Sequence, residues 1–265
     1  MDDSLSSPVL AARRSLEIES VDDFGRTPPR RIRLSLLPRF AIGIDDRPVT
    51  LGSRSERVLA YLAIQGGSSH RATVAGTLWP DTTGERALSS LRTVLWNLAQ
   101  LGVPLVNVTP TTLTLRPEVT VDMREATDRA RSLIDGSRDI TDVPETIQLL
   151  RQEMLVDWAE DWMIVEQERF RQLRLHALEE LGAQLIEMGR YAQAVVAALD
   201  AVGCDPLRET AHLLLMRVYL AQGNRCAAIN QYRSCARVLH DELGLRPSRT
   251  MTALLQQAMG DSEVA

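Results

Sequence analysis

The segment Met188-Gly189-Arg190-Tyr191-Ala192-Gln193-Ala194 returns further along the chain as Gln222-Gly223-Asn224-Arg225-Cys226-Ala227-Ala228. The two glycines are 34 residues apart, and so are Ala194 and Ala228. A unit of this length cannot bury its apolar face alone, so it stacks on its neighbour. Glycine permits the tight turn between two helices, and the small alanine lets the second helix pack close. The period therefore constrains the second half of the chain to a stack of helix pairs.

That pattern is the tetratricopeptide one. Asp205-Pro206-Leu207-Arg208 is predicted to open a helix pair, the aspartate capping and the proline in the first turn. Leu245-Arg246-Pro247-Ser248 is predicted to do the same before a closing helix to about Met259. Upstream, Met123 to Asp135 reads as a helix, Gly136 to Val143 as a loop, and Pro144 to Arg151 as another helical start. Trp158, Trp162 and Val165 fall about a turn apart on a helix continuing through Phe170, with the two tryptophans as core residues at the junction.

The first half has a different rhythm. Residues 1–30 are rich in serine and aspartate, end in Thr27-Pro28-Pro29-Arg30, and read as a disordered N-terminal segment with room for a short helix from Val9 to Ile18. Ile32, Leu34 and Leu36 alternate with polar residues, as do Phe40, Ile42 and Ile44. Asp45-Asp46-Arg47-Pro48 reads as a turn, and Val49 and Leu51 restart a strand. Three helices follow. Ser53 to Gln65 is predicted to open on a Ser53–Glu56 capping box and to bury Val58, Leu59, Leu62 and Ala63. His70 to Leu78 is short. Gly84 to Gln100 is the third, stopped by Gly102-Val103-Pro104. Leu105–Val108 and Thr112–Leu115 then read as a hairpin in the position of a wing, and Val119–Asp122 as a short strand at a boundary. Strands, three helices and a hairpin make a winged helix-turn-helix domain over residues 31–121. The fold class is mainly α with a small α+β domain, and residues 122–265 form the helical second domain.

Charge follows the same division. All 30 basic residues are arginine. Residues 31–121 carry 10 arginines against 6 acidic residues, whereas residues 122–265 carry 16 against 23. A mildly basic module ahead of an acidic one suits a nucleic-acid-binding part joined to a part that is not.

In the third helix, apolar residues at 87, 88, 91, 94, 95 and 98 form one stripe. The opposite face carries Arg86, Ser89, Ser90, Thr93, Trp96, Asn97 and Gln100, with Arg92 on its flank. These side chains can reach base edges and phosphates in a major groove, although a solvated face on any helix would be arginine- and serine-bearing too. Arg86 and Arg92 are the leading DNA-contacting candidates, followed by Ser89, Thr93 and Asn97. Arg54 and Arg71 open the first two helices, where a cation and backbone N–H groups can meet a phosphate. Arg116, just past the hairpin, is a backbone candidate. Trp96 is left open between packing and a partner contact.

Residues 31–121 resemble the response-regulator type of winged helix found in streptomycete antibiotic regulatory proteins, through Leu51-Gly52-Ser53-Arg54, Leu78-Trp79-Pro80-Asp81 and Ala87 through Leu98. Residues 122–265 resemble the bacterial transcriptional activator domain that follows it, through Trp158–Leu181, Asp205-Pro206-Leu207-Arg208-Glu209 and Asp241–Ser248. The resemblance implies a transcription activator, a homodimer on promoter direct repeats in double-stranded DNA, serving secondary-metabolite genes; a cytoplasmic location is expected separately, from the acidic Met-Asp-Asp-Ser start without a signal-peptide pattern. It also implies that the loop Pro80-Asp81-Thr82-Thr83 faces RNA polymerase and its sigma subunit. The chain departs from the family in having no cation in Trp96–Gln100 or in Thr109–Thr114. Dimerisation or help from polymerase is then the more necessary. A helical-repeat adaptor or signalling protein, whose winged helix no longer binds DNA on its own, is the alternative.

Nothing in the sequence asks for catalysis, a metal or a cofactor. His70, His176, His212 and His240 are scattered, and no glycine-rich phosphate loop is present. Cys204, Cys226 and Cys235 are an odd number in helical contexts, and Cys226 and Cys235 are expected to be buried structural thiols. No apolar run reaches the roughly 18 residues that span a bilayer.

Overall fold

The computed structural model describes residues 30–137 and 142–260. The expected N-terminal segment, with its helix from Val9 to Ile18, lies outside the described residues apart from Arg30, and so does the middle of the expected Gly136–Val143 loop. From Arg31 onward the chain clusters as one unit.

Alternation builds the first sheet. β1 (Ile32–Ser35) pairs antiparallel with β2 (Ala41–Ile44), Ile32 opposite Ile44 and Leu34 opposite Ile42. Ile32, Leu34, Leu36, Ile42 and Ile44 thus share one buried face. The turn is only Asp45-Asp46, both at positive φ (50° and 60°), a two-residue reversal of the I′ kind. Arg47 and Pro48, read from sequence as turn, instead belong to β3 (Arg47–Val49). The strand read as a boundary, β7 (Val119–Val121), returns to lie parallel to β1, giving the order β3-β2-β1-β7.

Three helices pack below. α1 (Ser53–Gln65) buries Val58, Leu59, Leu62 and Ala63 as its stripe predicts. Its capping box does not form. Gly52 is the N-cap, its carbonyl accepting from Ser55 N (2.8 Å) and Glu56 N (3.2 Å), and no side chain caps the helix. With Ser53 already helical, its hydroxyl is past the position from which a cap reaches forward. α2 (Arg71–Leu78) and α3 (Gly84–Ala99) follow. The hairpin is β5 (Val106–Val108) with β6 (Thr112–Leu115), and a two-residue strand, β4 (Ser69–His70), adds to β6.

The rest of the described chain is helical: α4 (Asp122–Ile134), α5 (Val143–Arg151), α6 (Asp161–Glu187), α7 (Tyr191–Cys204), α8 (Glu209–Ala221), α9 (Arg225–Leu243) and α10 (Arg249–Gly260). α6/α7 and α8/α9 are the two pairs. Gly189 and Gly223 take φ +69° and +73° in their turns, which glycine adopts without strain. Ala194 and Ala228 are fully buried. At Gly182, an added Cβ would stand 2.7 Å from Leu214 Cδ2, so α6 and α8 approach where a side chain is missing. Two helix starts differ from expectation. Asp205 Oδ1 accepts Leu207 N (3.2 Å) and its carbonyl accepts Arg208 N (3.1 Å), so residues 205–208 turn before α8 begins at Glu209. Pro247 likewise precedes α10, where Ser248 Oγ accepts Met251 N (3.4 Å). Trp158 lies ahead of α6 and not on the helix as read from sequence, whereas Trp162 and Val165 are on it, Val165 more than half exposed. Cys226 is exposed, against the expectation of burial, because its helical phase puts it opposite Ala228, Cys235 and Leu239, the buried stripe of α9.

The sheet and the helical half share one apolar core. Met154, Leu155, Met163 and Phe170 are buried in the same cluster as Leu34, Leu36, Val58 and Leu62. Trp158 stacks on Phe40 (centroids 6.1 Å apart), and Trp162 meets Tyr61 (5.5 Å), which puts both tryptophans at the junction as expected. Segment 36–38 is held from two sides. Leu155 N and Val156 N donate to the carbonyls of Leu36 and Pro38 (each 3.0 Å), while Leu36 N and Leu37 N donate to the Asp122 carboxylate (2.8 and 3.2 Å). Burial pushes the Asp122 carboxyl above the usual carboxylate range, and these amide bonds pull the other way. Arg174, 2% exposed, donates through Nη1 to the carbonyls of Leu150 (3.3 Å), Arg151 (2.9 Å) and Gln152, closing the C-terminus of α5.

Candidate nucleic-acid interface

The amphipathic pattern of α3 decides what it shows to solvent. Ala87, Leu91, Val94 and Leu98 are buried, and Leu88 and Leu95 are half-buried against the same core. That fixes the rotation of the helix. Arg86, Ser89, Arg92, Thr93, Trp96, Asn97 and Gln100 are exposed, and Ser90 is half-buried. Glu85 is exposed as well and lies on the flank toward Arg92, so the face is less free of acid than its central row implies.

Not every polar group on this face is equally available. Thr93 Oγ1 donates to the Ser89 carbonyl (3.2 Å), which commits its hydroxyl to the helix itself. Before α3, the residues of the loop Pro80-Asp81-Thr82-Thr83 are all exposed. Thr82 anchors the loop, its N and Oγ1 donating to the Trp79 carbonyl (3.3 and 3.1 Å). Trp79 is half-buried against the core, so the turn is fixed at its base while Asp81 is presented outward.

The hairpin tip is built from threonines. Thr109 Oγ1 accepts from Thr112 N (2.8 Å) and Thr111 N (3.3 Å) and lies 2.8 Å from Thr112 Oγ1. Arg71 meets this tip at the start of α2. Its backbone N donates to the Thr111 carbonyl (2.9 Å), and its Nη1 reaches the Thr109 carbonyl (3.4 Å). The strand β4 ahead of it pairs with β6, which explains why the start of α2 is held at the hairpin. Arg71 thus supplies a cation to a tip whose own sequence has none.

The other two arginines are placed differently. Arg116 is engaged by Glu118, Nε to Oε2 at 3.1 Å and Nη2 to Oε1 at 3.0 Å. That side-chain bond raises the Arg116 pKa and lowers that of Glu118, and the pair is close to neutral toward a phosphate. Arg54 is exposed and shares a face of α1 with Arg57, one turn on. Arg57 pairs with Glu160 ahead of α6, while Arg54 stays exposed in the first turn of α1. The structure groups Arg86, Ser89, Arg92, Thr93 and Asn97 on α3, sets Arg71 at the hairpin, leaves Arg54 on the first turn of α1 and pairs Arg116 with Glu118.

The residue that sequence reasoning left unassigned is Trp96. It is 65% exposed and packs against none of the cores. The helical phase already put it on the outer face; what the sequence could not show is that no neighbouring element covers it.

Among the described residues, no group of three or more His, Cys, Asp or Glu side chains is placed to hold a metal ion. Also among them, no helix is long and apolar enough to cross a membrane.

Comparison with known proteins bears on the family and the fold. The family described as the bacterial transcriptional activator domain matches residues 121–258. The chain is 26% identical over 240 residues to the regulatory protein AfsR of Streptomyces coelicolor, covering 86% of this chain and 24% of that protein. It is 24% identical over 225 residues to AfsR of Streptomyces griseus, covering 81% and 23%. The chain thus spans about a quarter of the length of these curated relatives. Its fold is similar to that of Mycobacterium tuberculosis EmbR, solved in complex with a low-affinity phosphopeptide. The TM-score is 0.67 at 21% identity, over 88% of this chain and 66% of that one. That likeness supports a winged helix followed by tetratricopeptide-like helices. With the activator-domain match running over more than half its residues, the chain belongs to the bacterial transcriptional activator domain family, a family of transcription regulators rather than enzymes, consistent with the streptomycete antibiotic regulatory proteins.

Proposed function

We propose that this chain is a sequence-specific DNA-binding transcription activator. The single observation that carries the reading is the α3 face: exposed Arg86, Ser89, Arg92, Thr93 and Asn97 on a helix whose buried stripe locks its rotation. In this reading residues 31–121 are the DNA-binding domain and residues 122–265 the activator domain. α3 lies in the major groove, with its arginines on guanine edges or phosphates. Arg71, at the hairpin tip, meets the backbone beside it. Arg54, exposed in the first turn of α1, is a lesser contact, and Arg116 is held by Glu118 and adds no phosphate contact of its own.

α3 carries only two cationic side chains, Arg86 and Arg92, and none beyond Arg92, so one copy makes few phosphate contacts. Two copies on promoter direct repeats add their contacts, which supports a homodimer on DNA. The anchored, exposed loop Pro80–Thr83 suits contact with RNA polymerase and its sigma subunit, and the relatives support a role in secondary-metabolite genes. The cation-poor second half of α3 favours one rival, an adaptor whose winged helix does not bind DNA alone. The test is a gel shift on the promoter beside its own gene, with and without polymerase, using wild type, Arg86→Ala and Arg92→Ala. Sequence-preferring binding lost in either variant supports the activator. No preference at low salt, even with polymerase present, favours the adaptor.

A further inference from the structure

An indole left two-thirds in water has given up the burial that usually places a tryptophan. Trp96 is flanked on the α3 surface by Arg92 and Thr93 one turn before and by Gln100 one turn after, with Asn97 beside it. Thr93 has turned its hydroxyl back onto the Ser89 carbonyl, so what it offers outward is chiefly its methyl group. The face therefore changes character along its length. As far as Arg92 it is guanidinium and hydroxyl. From Thr93 onward it is an apolar ring, a methyl and a carboxamide, with no cation.

Those two halves suit different base pairs. Arginine matches the O6 and N7 acceptors of guanine, asparagine matches N6 and N7 of adenine, and an apolar side chain matches the C5-methyl of thymine. Resting on the reading that α3 enters the major groove, we infer that Trp96 is a specificity-determining residue that packs on a thymine methyl group. Asn97 bonds an adenine next to it. Arg86 and Trp96 are ten residues apart, about 15 Å along the helix axis. The half-site then carries guanine near the Arg86 end and A·T pairs about four base steps away at the Trp96 end.

The test replaces thymine with deoxyuridine, which removes the methyl group and leaves pairing intact. Fluorescence polarisation is run on the protected half-site from the protein's own promoter, substituting one thymine at a time, with wild type, Trp96→Ala, Trp96→Phe and Arg86→Ala. The expected result is that one or two positions weaken wild-type binding about three- to fourfold, the factor that one buried methyl gives. Trp96→Ala then binds both probes equally, and Trp96→Phe keeps part of the difference. Arg86→Ala weakens binding overall but retains the deoxyuridine effect. If wild type prefers its promoter yet no deoxyuridine matters, or the effect survives in Trp96→Ala, the inference fails while the DNA-binding reading stands. If wild type prefers no sequence, both fail. If Trp96→Ala binds DNA normally but loses self-association in sedimentation, the ring belongs to a protein contact, and the inference is overturned.

Discussion

Replacing Asp122 by alanine removes the acceptor of three backbone amides at once: Leu36 N at 2.8 Å, Leu37 N at 3.2 Å and Met123 N at 2.7 Å. Leu36 is fully buried, so its amide has no ready access to water, while Met123 N lies in the first turn of α4 and is easier to hydrate. A hydrogen bond to a charged group contributes about 1.5–3 kcal/mol. Two lost bonds to segment 36–38, less the relief of a desolvated carboxylate, give a destabilisation of about 2–4 kcal/mol. For a chain of this size that corresponds to a fall of roughly 5–15 °C in Tm. The assay is urea unfolding followed by circular dichroism and by tryptophan fluorescence. Because Trp158 and Trp162 pack on the shared core, both signals are expected to move together. The pH dependence has a definite sign. The folded-state pKa of Asp122 is raised, mainly by burial, so its titration favours the fold most below the unfolded pKa, and that contribution is lost as pH rises through the folded value. The stability advantage of wild type over Asp122→Asn should therefore shrink as pH climbs from about 4. A loss under 0.5 kcal/mol in Asp122→Ala at neutral pH, or two separate transitions in wild type, would refute the reasoning.

Other perturbations follow from the same geometry. Gly182→Ala puts a Cβ 2.7 Å from Leu214 Cδ2; despite alanine's better helix propensity it should cost about 1–2 kcal/mol in urea, and Leu214→Ala in the same chain should reduce that increment. Arg174→Met strips the donor from the carbonyls of Leu150, Arg151 and Gln152 and should cost about 2 kcal/mol, seen as a lower unfolding midpoint. Of the three thiols, only exposed Cys226 should react quickly with a disulfide reagent at pH 8, because burial pushes Cys235 up to about 11 and raises Cys204 as well; three fast equivalents in the native protein would contradict this.

Local periodicity made much of the fold readable. The 34-residue repeat gave the turns at Gly189 and Gly223, and the apolar stripes gave α1 and α3 within a residue of their ends. Pairings that depend on distant partners were not readable. Val119–Val121 is too short to say whether it pairs forward or back, and its parallel match to β1 is settled by Asp122, which holds residues 36 and 37 more than eighty positions away. The two-residue strand β4 is invisible without β6 beside it. Proline misled the helix starts at 206 and 247, since an Asx turn delays α8 to Glu209 and a serine cap delays α10 to Arg249. At the candidate interface, residue type and phase picked out the α3 face. The neutralisation of Arg116 by Glu118 and the placement of Arg71 on the hairpin tip required the folded chain.

The central claim, that the outer face of α3 holds DNA, is tested most directly by the salt dependence of binding to a promoter carrying two repeats. Arg71, Arg86 and Arg92 from each of two copies, all as phosphate contacts, would give a slope of log K against log salt near −5, at about 0.9 per phosphate. Contacts made to bases instead lower that magnitude. The account predicts a slope between about −3 and −5, lessened by roughly 2 in Arg92→Ala if both copies use it on phosphate, and unchanged in Arg116→Ala. A slope near zero, or one that falls equally for Arg116→Ala and Arg92→Ala, would contradict it.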